Sequence, residues 1–244
     1  MKNLNYIFIL LALLAEIIGT IGGFGSSVFF VPICNFYFDF HDVLVLTSVF
    51  HLSSNLSKIM LFKKGLDKKL LINIGIPSVI FVIIGGFLTK VVDDGILKII
   101  LALFLIGLSA LFLIKKELII NPNKRNAITG GALSGLSAGL LGTGGAIRGL
   151  TMAAFNLEKS VFIATSAFID FFLDFTRTIV YYKNGYIHKE YLVYLPFLIV
   201  IGIVGTYIGK RILNYIPQDK FKKLSLVLIL IIGLVMLANV IIIK

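Results

Sequence analysis

The chain has 244 residues, 58% of them hydrophobic and only 14% charged, with a mean hydropathy of +1.01. This excludes a water-soluble domain and predicts an all-α, polytopic membrane protein. The formal net charge of +11 would suggest nucleic acid in a soluble protein, but here Lys and Arg sit mainly in short connections between apolar runs. There they read as topology signals and headgroup contacts, so no nucleic acid is expected.

Apolar segments run from about Leu4 to Tyr37, Val43 to Phe62, Leu70 to Thr89, Ile96 to Ile114, Ala127 to Phe155, Val161 to Tyr182, Tyr191 to Leu213 and Leu224 to Ile243. That predicts about eight transmembrane segments in two four-segment halves, 1–118 and 127–244, joined by a basic linker at 119–126. Lys2 followed by Ile7 to Ala15 resembles a signal peptide, but no small-x-small site follows and the apolar run continues past Glu16. A retained first helix is therefore expected. The first and fifth segments are too long, roughly 30 residues or about 45 Å of helix, where about 20 residues suffice to span a bilayer. Each is either a kinked, tilted helix or a pair of half-helices, one of which re-enters.

Both long segments carry glycine breaks. The second is Gly142, Thr143, Gly144 and Gly145, with Arg148 one turn later, and the first is Gly22, Gly23, Phe24 and Gly25 followed by Ser26 and Ser27. Each glycine weakens a helix by about 1 kcal/mol relative to alanine. Irregular backbone at membrane depth persists only where protein buries it or where it lines a polar cavity. Taken singly, such glycines also serve close helix packing of the small-xxx-small kind. A constant offset of 119 residues, however, carries Gly23 onto Gly142, Gly25 onto Gly144, Lys58 onto Arg177, Pro77 onto Pro196 and Gly86 onto Gly205, and there are only five prolines. This reads as an internal duplication, with two breaks facing each other where broken-helix transporters bind substrate. The free N–H groups of the breaks, the hydroxyls of Ser26, Ser27 and Thr143, and Arg148 would form an anion cradle. For Arg148 the alternative is a headgroup contact.

Asp170, Asp174 and Arg177 follow at i, i+4 and i+7 on one face of the sixth segment, and His51, Asn55 and Lys58 occupy the matching positions of the second. Ionisable groups at such depth pair with one another and line pathways. Asp174 is expected to pair with Arg177, as part of a pathway or as a structural lock. Asp170, a turn away, is the candidate for ion coupling. Glu16 either pairs with a cation across the bundle or titrates with a transported proton.

With eight crossings, the positive-inside rule places Lys63, Lys64, Lys68 and Lys69 on the cytoplasmic side with Lys115, Lys116, Lys124, Arg125, Lys183, Lys189 and both termini. Lys210, Arg211, Lys220, Lys222 and Lys223 dissent from this assignment. Re-entry of a long segment would change the count and convert parallel repeats into an inverted pair.

Enzyme signatures are sparse. His41, His51 and His188 are scattered, no His-Glu-x-x-His occurs, and Gly-x-Gly-Gly lies in an apolar run instead of after a strand. Cys34 is the only cysteine, so no intrachain disulfide or cysteine metal site arises. No metal and no cofactor are expected.

Duplicated halves that each open on a glycine-rich motif resemble the TauE/SafE-type sulfite exporter (TSUP) family, whose motif is similar to Gly-x-Gly-Gly-Gly, a short apolar run and proline. The first copy reads Gly23-Phe24-Gly25-Ser26-Ser27 and ends at Pro32; the second reads Gly142-Thr143-Gly144-Gly145-Ala146, with Thr151 in place of proline. Ala164-Thr165-Ser166, and more loosely Leu46-Thr47-Ser48, match the family's small polar segment. The resemblance implies a multi-pass protein of a bacterial or archaeal cell membrane that moves a small sulfur-containing or organic anion of the sulfite or sulfonate class. Its expected partners are that anion, the lipid bilayer and a coupling proton or sodium ion, with homo-oligomerisation left open. The alternative is an integral membrane enzyme acting on a lipid or small acid, which would need a clustered acid, base or metal set.

Overall fold

A computed structural model describes residues 5–22, 25–62, 65–114, 120–213, 215 and 218–242. Among these residues every regular element is helical: α1 (Tyr6–Gly22), α2 (Ser27–Cys34), α3 (Phe40–Leu61), α4 (Lys68–Leu88), α5 (Asp94–Ile114), α6 (Lys124–Leu141), α7 (Gly145–Ala153), α8 (Lys159–Asn184), α9 (Leu195–Ile212) and α10 (Gln218–Ile242). By length and composition, α3, α4, α5 and Glu190–Ile212 can each cross a membrane. At 26 residues α8 is longer, but it carries Asp170, Asp174 and Arg177 along its length. Tyr6–Ile21 and Leu226–Ile241 are shorter apolar helices.

Both glycine-bearing segments are hairpins of helix. After α1 the chain passes through Gly25 at φ +82° and α2 runs back along α1. The Phe8 ring near the start of α1 therefore meets Phe30 at 5.9 Å and Phe38, beyond α2, edge-on at 4.9 Å. A continuous helix would hold Phe8 and Phe38 about 45 Å apart, so the kinked-helix alternative falls away. In the second half α6 stops at Gly142, whose left-handed φ of +75° lets its N–H reach the Ala138 carbonyl at 3.1 Å. There α7 turns back along α6. Ser134 Oγ donates to the Gly144 carbonyl (2.9 Å) and Ser137 Oγ to that of Thr143 (2.5 Å), satisfying the turn's backbone from within.

Close backbone approach fixes how the hairpins dock. A Cβ on Gly131, Gly135 or Gly139 of α6 would lie 2.4, 2.1 and 2.3 Å from the carbonyl oxygens of Ile74, Ser78 and Val82 on α4. The i, i+4, i+8 glycine row is thus a seam, and Ser78 Oγ closes it with a 2.9 Å bond to the Gly131 carbonyl. On the other side α1 packs on α9, where added Cβ atoms at Gly205 and Gly209 would lie 2.8 Å from Glu16 and Thr20. Between the seams α3 packs on α8 and α9, α8 also contacts α4, and α5 pairs with α10.

Two prolines mark equivalent irregularities. Pro77 follows a π turn at Leu71–Gly75 and Pro196 follows a 3-10 turn at Lys189–Tyr194. Each ring lacks an N–H and crowds the carbonyl four residues earlier, so the preceding turn must depart from α geometry.

Candidate functional site

The two hairpin turns meet in the middle of the bundle. Thr143 Oγ1 donates to Ser27 Oγ at 3.1 Å, and a Cβ on Gly25 would lie 3.9 Å from Gly145 Cα. Together they wall a small polar cavity, contributed by Gly25, Ser26, Ser27, Gly142, Gly144 and Gly145 from the turns, His51, Asn55 and Lys58 from α3, and Asp170, Asp174 and Arg177 from α8. Gly23 lies outside the described residues. Ser26 and Ser27 open α2, Gly144 and Gly145 open α7, and all four line the cavity, so the positive ends of both helices sit at its wall. The free volume is about 20 Å³, room for about one water. A neighbouring cavity of about 40 Å³ shares Gly25, Asn55, Lys58 and Asp170 with the first and adds Thr20, Arg148, Phe162 and Ser166.

Three acid-base pairs surround these cavities, buried except for a partly exposed Asp170. Glu16 is fully buried in α1 and bonds Lys58 Nζ at 3.0 Å through Oε1. The same oxygen accepts from Ser54 (2.5 Å), Thr20 (3.0 Å) and Thr206 (3.0 Å), while Oε2 accepts from Ser26 Oγ at 2.5 Å. Ser26 spends its only hydrogen on Glu16, so its 3.0 Å contact with His51 Nε2 requires His51 to donate from that nitrogen. One carboxylate thus ties α1, α3, α9 and the first hairpin turn. Lys58 also donates to Ser54 Oγ at 2.7 Å.

On α8, Asp174 bonds Arg177 at 2.7 Å and accepts from Asn55 Nδ2 at 2.7 Å. Arg177 does not reach toward the helix end. It is 1% exposed and donates to the Ala138 and Gly142 carbonyls (3.2 and 2.8 Å), neutralising the negative end of α6. Asp170 is not free: it forms an ion pair with Arg148 of α7, whose Nε donates to Ser166 Oγ at 3.0 Å. Arg148 is 2% exposed and faces the protein interior instead of headgroups. Among the described residues both arginines keep a buried donor without a hydrogen-bond partner, Nη1 on Arg148 and Nε on Arg177.

Glu16 stands out in the sequence as an acid in an apolar run, whereas its hydroxyl partners Ser54 and Thr206 carry no motif. A further ionic cluster, likewise without a sequence motif, lies at the end of the bundle where α3 begins. There His188 Nδ1 meets Asp42 at 2.6 Å, and His41 bonds Asp94 at 3.2 Å while stacking on Tyr186 with centroids 3.9 Å apart. The hydrogen bond to Asp42, then its charge, raises the His188 pKa above the usual histidine range.

A family model for the sulfite exporter TauE/SafE matches residues 8–236 of the chain. No curated protein and no solved structure matches it.

Proposed function

The chain belongs to the TauE/SafE sulfite exporter family of membrane transporters, and on that premise we propose that it is a secondary transporter carrying a small sulfur-containing or organic anion between its two hairpins. The carrying observation is the pair of arginines at the two cavities, each buried and each with an N–H donor that finds no acceptor among the described residues. A buried donor left unmet costs about 1–3 kcal/mol, more when charged, and an oxyanion would satisfy it. Positive helix ends at the same wall favour the same charge.

Charge counting supports proton coupling. Glu16, Asp170 and Asp174 balance Lys58, Arg148 and Arg177, so an added monoanion leaves the core one charge negative. A proton on one carboxyl restores neutrality, and Asp170, which borders both cavities, is the group assigned to take it. The free volumes of about 20 and 40 Å³ describe a closed state, so passage needs the arms α2 and α7 to move against their hairpins.

The proposed topology is an inverted repeat, 1–118 and 127–244 about the 119–126 linker, with three crossings and one re-entrant hairpin in each half. Its support is the reciprocal packing: α1 on α9 answers α6 on α4, α3 on α9 answers α8 on α4, and α3–α8 and α5–α10 pair with their own equivalents. Three crossings per half revise the eight-crossing count and the orientation drawn from it. Lys68, Lys69, Lys124, Arg125, Lys159, Lys210, Arg211, Lys220, Lys222 and Lys223 then share one side, against Lys90, Lys98, Lys183 and Lys189; Lys63, Lys64, Lys115 and Lys116 lie outside the described residues. The formerly dissenting connection joins the majority. The basic side is cytoplasmic, and the start of α1 and the end of α10 lie toward the outer face of the cell membrane.

The test is flux in proteoliposomes containing this protein alone, with sulfite, thiosulfate, sulfoacetate and taurine under proton and sodium gradients. Gradient-driven uptake of at least one is expected. Absence of flux across the whole panel would overturn the transport reading.

A further inference from the structure

The two cavities are not equivalent stations. Arg177 borders only the central one and Arg148 only its neighbour, while Asp170 borders both. Each arginine is at least 98% buried, and among the described residues each retains a guanidinium N–H without a hydrogen-bond acceptor. Their depths differ as well. Arg148 is anchored on α8 at Ser166 and Asp170, whereas Asp174 and Arg177 lie one to two turns, or about 6–10 Å, further along the same helix. The start of α8 is pinned to the basic connection after α3, where Asp67 N–H donates to Thr165 Oγ1 at 3.0 Å. Phe162, at that same end, borders the Arg148 cavity and not the central one.

We propose that the Arg148 cavity is a second oxyanion subsite, in series with the central one on the side of the basic face, so that the transported anion passes between Arg148 and Arg177 beside Asp170. This rests on the transport reading and adds a place and an order to it. The spare Nη1 of Arg148 supplies a charged donor, and Ser166, held on Nε, fixes the guanidinium plane. Such a site selects a compact ion with at least one unhindered oxygen. A bulky organic anion would have to displace Phe162.

The test uses the full-length protein in membrane vesicles of both orientations, with sulfite as probe, or whichever of thiosulfate, sulfoacetate and taurine the wild type carries. Arg148→Gln should raise KM for anion presented at the basic face about tenfold, the size of one charge-assisted hydrogen bond. KM at the opposite face should change by less than about threefold. Arg148→Lys, which keeps the charge against Asp170 and protects the fold, should shift KM in the same one-sided way, because lysine lacks the spare fork N–H. Arg177→Lys should weaken apparent affinity from both faces. Equal shifts from the two faces in both Arg148 variants, or no shift at all, would overturn the basic-face subsite while wild-type flux left transport standing. Loss of all wild-type flux would instead remove the transport reading and the subsite with it.

Discussion

Asn55 and Asp174 are 119 residues apart and hydrogen-bond one another, Nδ2 to Oδ2, at 2.7 Å. The sequence offset of 119 relates the two positions, and α3 and α8 touch there. The pair is not chemically symmetric. Asp174 also holds Arg177, whereas Asn55 leaves Lys58 to find its carboxylate on α1.

From that asymmetry, Asp174→Asn should destabilise the protein by about 3–5 kcal/mol, since it leaves Arg177 buried and unpaired. Asn55→Ala should cost less, about 1.5–3 kcal/mol for one hydrogen bond to a charged acceptor. Thermal melting of the purified variants measures both, and equal melting temperatures for Asp174→Asn and wild type would remove the ion pair from the account.

Glu16→Gln should be as damaging as Asp174→Asn, because Lys58 would lose its partner. Adding Lys58→Met should restore part of that loss, since replacing a buried pair by apolar groups is often neutral or better. The double variant would still lack the Ser26 and Thr206 tie as an ionic one. Transport is therefore expected to remain impaired even where melting recovers.

Asp170→Asn tests the charge balance. With one core carboxyl permanently uncharged, net transport should lose its dependence on pH while substrate exchange persists. The variant also leaves Arg148 without its ion pair, so folding is checked first by melting and gel filtration. A folded Asp170→Asn protein with the wild-type pH profile would assign the coupling proton elsewhere.

Glycine substitutions separate seam from surface. Gly135→Ala puts a methyl carbon where only 2.1 Å separates it from the Ser78 carbonyl oxygen, and overpacking of a rigid seam costs about 1–3 kcal/mol. Gly107, within α5, has no atom within 4 Å of an added Cβ. Gly107→Ala should change stability by no more than about 1 kcal/mol, and equal melting shifts for the two would refute the seam.

His188 gives a pH signature outside the membrane core. Its pKa is raised in the folded protein by Asp42, so the pair's contribution is complete below the unfolded histidine value, about 6.5. It is lost as pH rises through the higher folded value. The ring is 56% exposed, which keeps the effect small. Melting temperature should therefore fall slightly from about pH 6 upward, and His188→Ala should flatten that slope.

The apolar runs and the interruption of the first and fifth were legible because membrane burial imposes them locally. Length and hydropathy are enforced residue by residue by the lipid, and a glycine or an aspartate in such a run stands out. The row Asp170, Asp174 and Arg177 was likewise legible, since helical periodicity alone puts it on one face. Partners were not. Whether Asp170 stands free or pairs with Arg148 depends on α7 folding back, a choice made by the Gly142 turn, the Ser134 and Ser137 bonds and the glycine seam on α4. The same reversal decides how many times the chain crosses and where its basic residues lie. A single segment's composition is identical for a long tilted helix and for a hairpin, so only contacts between distant segments, Phe8 with Phe38 and Gly131 with Ile74, separate the two.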